Sequence, residues 1–468
     1  MRALFLASTL TVVACSSLKA SEPADAGADA ATENDAGPPD AQVDSGPLPV
    51  PDSPPDTACG LPANPWSATT KSDPLCADRR VYQLESWSSA GSPAEITTLA
   101  MAVAKNGRVG VAVNGLTDIE QGDLRIRSFV PASATFTLPA PLVKVPSSAF
   151  ENVGAAVRMV AGNDDTFHLV YQRDVSQGGG SVVYRKLPAS NVLGAEQAVV
   201  SVGHGTELGI AVSPKNSDVL VSYYVPPTAA QAGELYSRLR PDATQLFATP
   251  LTVQRSFGLD GVVGNGQHTL IFDAFGAGHI AFHLSQTFSS AVPRYSMLGA
   301  GVWSLSKTID NNRLDAMSGY SLSIAVDDQT KYLAYYYRAQ GATTAELRVA
   351  KWSLDGDTPV VDVRDKTILA DDPTTPRYAA SLAVDKLGLL HLAYVRPTSA
   401  TQCLIGYQRQ VRAKGQVSWL EDTVVPSFVC RDRSSMAIAL RVDDSTRPHI
   451  AYAITGDGVY YATRFDRR

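Results

Sequence analysis

The chain has 468 residues, 44% of them hydrophobic but only 18% charged, and it carries 35 glycines and 29 prolines. With turn formers so plentiful and no long helical periodicity, this composition excludes a coiled coil or helical bundle and points to a turn-rich all-β protein. Residues 1–58 hold nine acids against two bases, which leaves 37 acids and 38 bases from Cys59 to Arg468. The acidic balance therefore belongs to the leading segment, and a nearly neutral globular part is a poor partner for nucleic acid.

The chain opens on Arg2, an apolar stretch from Ala3 to Ala14, and Cys15. That is the layout of a secretory signal, too short to span a bilayer. Val12-Val13-Ala14-Cys15 resembles a bacterial lipobox, and the resemblance implies lipid on Cys15 and cleavage before it. Ser16 after the cysteine implies sorting to an outer membrane, facing the periplasm or the cell surface. The alternative is an ordinary signal peptide in which the cysteine is incidental.

Lys19 to Ala58 is almost wholly Ala, Asp, Gly, Pro, Ser and Glu, with no aromatic residue. Such a segment buries too little apolar surface to order itself, and forty flexible residues span on the order of 35 Å. The expected organisation is a signal over 1–14, a lipidated cysteine and disordered tether over 15–58, a disulfide-stapled lead-in over 59–79 and a repeat domain over 80–468. Setting Cys15 aside leaves Cys59, Cys76, Cys403 and Cys430, an even set suited to an oxidising compartment. Nearest neighbours pair Cys59 with Cys76 and Cys403 with Cys430, although four cysteines permit three connectivities.

From there a single design recurs. An apolar run, a short turn, a second run closing on a large residue and a third alternating run appear seven times. The closing residues are Val113, Tyr171, Tyr223, Phe282, Tyr335, Tyr394 and Tyr452, about 56 residues apart on average. That period, with several short strands per unit, predicts a seven-bladed β-propeller of four-stranded blades. After Val459 to Phe465 the chain has no room for a fourth strand. Arg80 to Trp87 alternates correctly to supply it, so an N-terminal strand is expected to close the seventh blade.

His168, His279, His391 and His449 share one position, three residues before the closing residue. Equivalent positions on different blades do not converge, so each imidazole is expected to hydrogen-bond within its own blade rather than hold a metal. Asp273, Asp385 and Asp443 precede three of those histidines by six residues, and Asp327 sits one residue nearer to its repeat position. Such residues accept bonds from turn amides.

No GxSxG, HExxH, GxxxxGK[ST] or GxGxxG motif is present. His204-Gly-Thr-Glu207 is too short to be a zinc site, and no cofactor is expected. What remains is the approach to each inner strand, where Arg255, Arg313, Arg377 with Tyr378, and Arg431 with Arg433 precede four consecutive copies. A guanidinium grips carboxylate or sulfate bidentately, so a mouth for an acidic glycan is one reading. The other is that these arginines pair with nearby acids along the rim.

From Ile96 to Phe465 the pattern resembles the sialidase-like propellers with BNR-type repeats. Ser353-Leu354-Asp355-Gly356-Asp357-Thr358 echoes their Asp-box, with Pro359 where that motif has tryptophan. The HLAY and HIAY repeats are similar to those of propeller polysaccharide lyases. The sialidase resemblance implies an arginine triad and a Tyr/Glu nucleophile pair, and no such pair is assignable from the sequence. The expectation is a monomeric envelope lipoprotein whose propeller binds acidic glycan or a protein partner without catalysis. The alternative is a glycoside hydrolase or polysaccharide lyase in which Tyr378 or His204 moves protons.

Overall fold

The computed structural model describes residues 78–86 and 98–465, apart from 119–120, 132–142, 147–150, 176–179, 202–206, 227–232, 256–266, 288–289, 311–315, 340, 354–357, 370–378, 431–435 and 455–457. It is a seven-bladed β-propeller. Each blade is an antiparallel four-stranded sheet, numbered here 1 to 4 from the axis outward, as in blade 6, where Ala379–Val384, Leu390–Pro397, Gln402–Ala413 and Gln416–Val429 pair in sequence order. Blade 4 departs slightly, since its outer strand is two fragments, Val302–Trp303 and Lys307–Thr308.

Blade 7 is assembled from both ends of the described chain. Asp78–Ser86 pairs antiparallel with Gly458–Phe465, from Asp78 opposite Phe465 to Ser86 opposite Gly458. This is the closing strand expected from Arg80 to Trp87, starting two residues earlier.

The core is seven wedges rather than one centre. Every cluster of buried apolar residues joins two neighbouring blades, and the last joins blade 7 to blade 1 through Leu84, Ala439, Tyr461, Met101 and Phe129. Alternation along each strand gives every sheet one face for each neighbour. The closing residues all use the same one. Tyr171, Tyr223, Phe282, Tyr335, Tyr394 and Tyr452 are each at most 4% exposed and pack toward the preceding blade.

Inner strands are stitched to one another as well. Ala380 and Leu382 donate backbone N–H bonds to Ser321 Oγ and Ser323 Oγ of the blade before, both at 2.8 Å. Leu440 donates to Ser381 Oγ at 2.9 Å and Val157 to Thr98 Oγ1 at 3.4 Å. Small hydroxyls thus satisfy amides on the inner edge that no further strand can pair.

Strands 1 and 3 run in one direction, so the turns that follow them leave on one face, the turn face. Strand 2-to-3 turns and blade-to-blade crossovers lie on the opposite, crossover face. In the turns after strand 1, one position adopts a left-handed backbone in six blades: Gly107, Gly276 and Gly388, but also Asp165, Ser217 and Thr446.

Candidate functional site

Most of the sequence-derived rim lies outside the described residues: His204, Arg313, Arg377, Tyr378, Arg431 and Arg433, along with Cys15, Cys59, Cys76 and most of the Asp-box echo. Cys403 and Cys430 do form a disulfide, fully buried, between the crossover ends of strands 3 and 4 of blade 6. It anchors the chain immediately before Arg431.

The four repeated histidines behave as blade supports. His168, His279, His391 and His449 each share a hydrogen bond at Nδ1 with a strand 3 tyrosine hydroxyl, Tyr184, Tyr295, Tyr407 and Tyr461, at 2.6 to 2.7 Å. Nε2 of the last three lies 3.1 to 3.3 Å from Asp273, Asp385 and Asp443. The other oxygen of each aspartate accepts two turn amides, as Asp385 does from Leu387 and Leu389 at 2.9 Å. Blade 5 builds the same brace without histidine, Tyr332 donating directly to Asp327 at 3.0 Å. Burial lowers the pKa of each ring, that of His168 to about 4, so all four are neutral at pH 7.

Tyrosine–carboxylate pairs, unassignable from the sequence, are present in the structure. Tyr171 donates to Glu196 at 2.7 Å, Tyr335 to Asp310 at 2.6 Å and Tyr394 to Glu421 at 2.5 Å. All three tyrosines are fully buried, and burial raises each hydroxyl's pKa, the wrong direction for a nucleophile. Arg173, Arg348 and Arg396 complete these groups by pairing with Glu151, Asp310 and Asp365. They are inter-strand struts.

A fourth pair differs in place. Tyr236 is half-buried near the crossover end of blade 3 and donates to Glu234, two residues away on the same strand face. The bond to Glu234 and then burial push its pKa up to about 12, while the positive charge of Arg255 opposes the rise. Arg255 is exposed and is the one arginine of the sequence-derived rim among the described residues.

The axis itself carries two arginines that sequence reasoning passed over. In an antiparallel ladder the N–H and C=O of one residue point the same way. Because Leu440 and Val157 donate their N–H groups off the inner edge to Ser381 and Thr98, their carbonyls face the axis too. Arg441 Nη1 donates to Leu440 O at 2.7 Å, and Arg158 Nη1 donates to Val157 O at 2.9 Å. Both guanidiniums are thereby folded into the channel, one from blade 7 and one from blade 2. Glu207, of the His204-Gly-Thr-Glu207 cluster set aside above as a zinc site, lies 3.5 Å from Arg158 Nη2.

Among the described residues no carboxylate pairs with Arg441. Burial lowers its pKa first, and the positive charge of Arg158 lowers it further. Two half-buried cations that face one another with one acid between them among the described residues repel, and an anion relieves them. The available signal was a charged residue interrupting small apolar inner strands, in Val157-Arg158-Met159 and Leu440-Arg441-Val442.

No protein-family model matches the chain, and no curated protein sequence matches it. An ulvan lyase of polysaccharide lyase family PL25, solved bound to -[GlcA(1-4)Rha3S]-, is similar at 12% identity with a TM-score of 0.48, over 80% of this chain and 95% of that one. The Hadza microbial sialidase Hz136 is similar at 13% identity and 0.44, over 75% of each chain. The leech intramolecular trans-sialidase is similar at 10% identity and 0.43, over 75% of this chain and 70% of that one. No residue role is carried over from them.

Proposed function

We propose that the protein is a lipid-anchored module of the cell envelope that binds an anionic ligand, of the acidic-glycan class, in its axial channel without transforming it. The observation that carries this reading is Arg441, held in the channel on its own backbone beside Arg158 and with no acid of its own among the described residues. Planar guanidiniums suit a carboxylate or sulfate, which a guanidinium can grip by two bonds. Arg313, Arg377, Arg431 and Arg433, which lie outside the described residues, precede inner strands in the sequence and are of the same chemistry.

The test is calorimetric titration of the protein with uronate-bearing, sulfated and neutral oligosaccharides. Binding should be confined to the anionic ones, weaken with salt, and fall on the order of tenfold to a hundredfold in Arg441→Gln, the span of one charge-assisted bond. Unchanged affinity in the Arg158→Gln/Arg441→Gln double variant sinks the proposal. The anchor is read separately: a Cys15→Ser chain that stays as membrane-bound as the parent removes it.

A catalytic reading has one observation in its favour, the half-buried Tyr236 hydrogen-bonded to Glu234, whose raised pKa suits giving up a proton to a leaving group rather than attacking. Cleavage of an acidic oligosaccharide, abolished in Tyr236→Phe, would establish it over simple binding.

A further inference from the structure

The seven inner strands hold only three Asp, Glu, Lys or Arg residues: Glu151, Arg158 and Arg441. Glu151 is engaged by Arg173 of its own blade, 3.0 Å away. A fourth charge, Glu207, stands one residue before the inner strand of blade 3 and reaches Arg158 across the gap between blades. Among these groups two arginines are set against one free-standing acid, which leaves a single positive charge. Level with Arg158 on the other blades are Ala100, Gly209, Thr269, Ser323, Ser381 and Ala439, none of which offsets it.

The charges also differ in height along the axis. Arg158 pairs with Val170, one position before the closing Tyr171, whereas Arg441 pairs with His449, three positions before the closing Tyr452. At the rise of a strand, this sets the backbone of Arg441 about 7 Å nearer the turn face. Glu207 accepts the N–H of Tyr224, one position beyond the closing Tyr223, so its backbone is nearest the crossover face. A ligand entering from that face meets the Glu207–Arg158 pair before it meets Arg441.

We propose that Glu207 sets the charge of the ligand: by holding Arg158 it leaves one net positive charge, so the site takes a sugar with one anionic group and rejects one with two. This rests on the anion-binding reading above and narrows it from acidic glycan to a singly charged, uronate-type residue. A monoanion seats against Arg441 while Arg158 stays with Glu207. A second anionic group on the same sugar is brought toward Glu207, and like charges that close repel.

The experiment is calorimetric titration of the protein with three trisaccharides that differ at one ring, which is glucose, glucuronate or 2-O-sulfated glucuronate. The parent should bind the glucuronate form about tenfold tighter than the sulfated one. Glu207→Gln, which keeps the size of the side chain and removes its charge, should reverse that order. Arg158→Gln alone should weaken the glucuronate form about tenfold or more, and Arg158→Gln/Glu207→Gln, which restores the balance, should return it to within about threefold of the parent.

Sulfate adds bulk as well as charge, and the isosteric variant tells them apart. A preference that Glu207→Gln leaves unchanged is one of size and overturns the proposal while the anion-binding reading stands. A parent that favours the doubly charged form does the same. A parent that binds neither anionic trisaccharide removes that reading and this inference with it. Glu207→Ala, read in the same way, serves if the Gln variant does not fold.

Discussion

Asp78 and Phe465, 387 positions apart in the sequence, face each other across one antiparallel ladder. Their ladder closes the ring, and without it blade 7 lacks its outer strand and part of its contact with blade 1, including Leu84. Deleting residues 78–86, or truncating after Ile454, should abolish the single cooperative thermal transition and produce a dye-binding, aggregating chain. A truncated chain that melts like the parent would show that the ring does not need its clasp.

Acid should weaken the protein in a defined window. The four buried histidines are neutral when folded but take up protons at an ordinary pKa of 6.5 when unfolded, and the ring of His168 charges only at about 4. A depressed histidine pKa means that stability is intact above the unfolded value and declines as pH falls below it. Each histidine contributes a slope of up to about 1.4 kcal/mol per pH unit. Urea melts between pH 7.5 and 4.5 should show this decline, less steep by one proton in His168→Gln. The turn aspartates Asp385 and Asp443, whose pKa values are held low by histidine and amide bonds despite burial, act in a separate, lower window near and below 3.8.

Thr446 occupies the left-handed position that Gly107, Gly276 and Gly388 fill elsewhere, at φ 62°. A β-branched residue is strained there, so Thr446→Gly should raise unfolding free energy by about 1 kcal/mol, and Gly388→Val should lower it by more. Equal stability of Thr446→Gly and the parent in chemical denaturation would mean the turn has relaxed elsewhere.

Cys403 and Cys430 close a 27-residue span in blade 6. Chain entropy assigns about 3.5 kcal/mol to a loop of that size. The Cys403→Ala/Cys430→Ala chain should lose a large part of this, with anionic-ligand affinity falling as well if Arg431 and Arg433 contribute to the mouth. Affinity unaffected by losing the disulfide would separate the staple from the site.

Much of the architecture was written in the spacing of residues. Seven closing residues fixed the blade count, because each of Tyr171, Tyr223, Phe282, Tyr335, Tyr394 and Tyr452 fills the same gap against the preceding blade. Strand bounds such as Leu208–Val212 and Ser181–Leu187 were legible where alternation is strict. Ala316–Val326 was legible only in its second half, Leu322 to Val326, since irregular pairing between Ser318 and Ser323 hides the period of the first. Histidine roles were legible from repetition, but their tyrosine partners were not, because a bond between strands 2 and 3 depends on register. Arg158 and Arg441 escaped for a related reason: two residues on distant inner strands share a channel only once the ring has closed.

Blade 7 has a further consequence, for how the protein is made. Its outer strand, Asp78–Ser86, is synthesised first of all the described strands, yet its partner, Gly458–Phe465, is synthesised last. A nascent chain can stack early blades but cannot complete the circle until Gly458–Phe465 has been made. Until then it is an open arc with two unsatisfied ends, and only the last-made strand turns it into a ring.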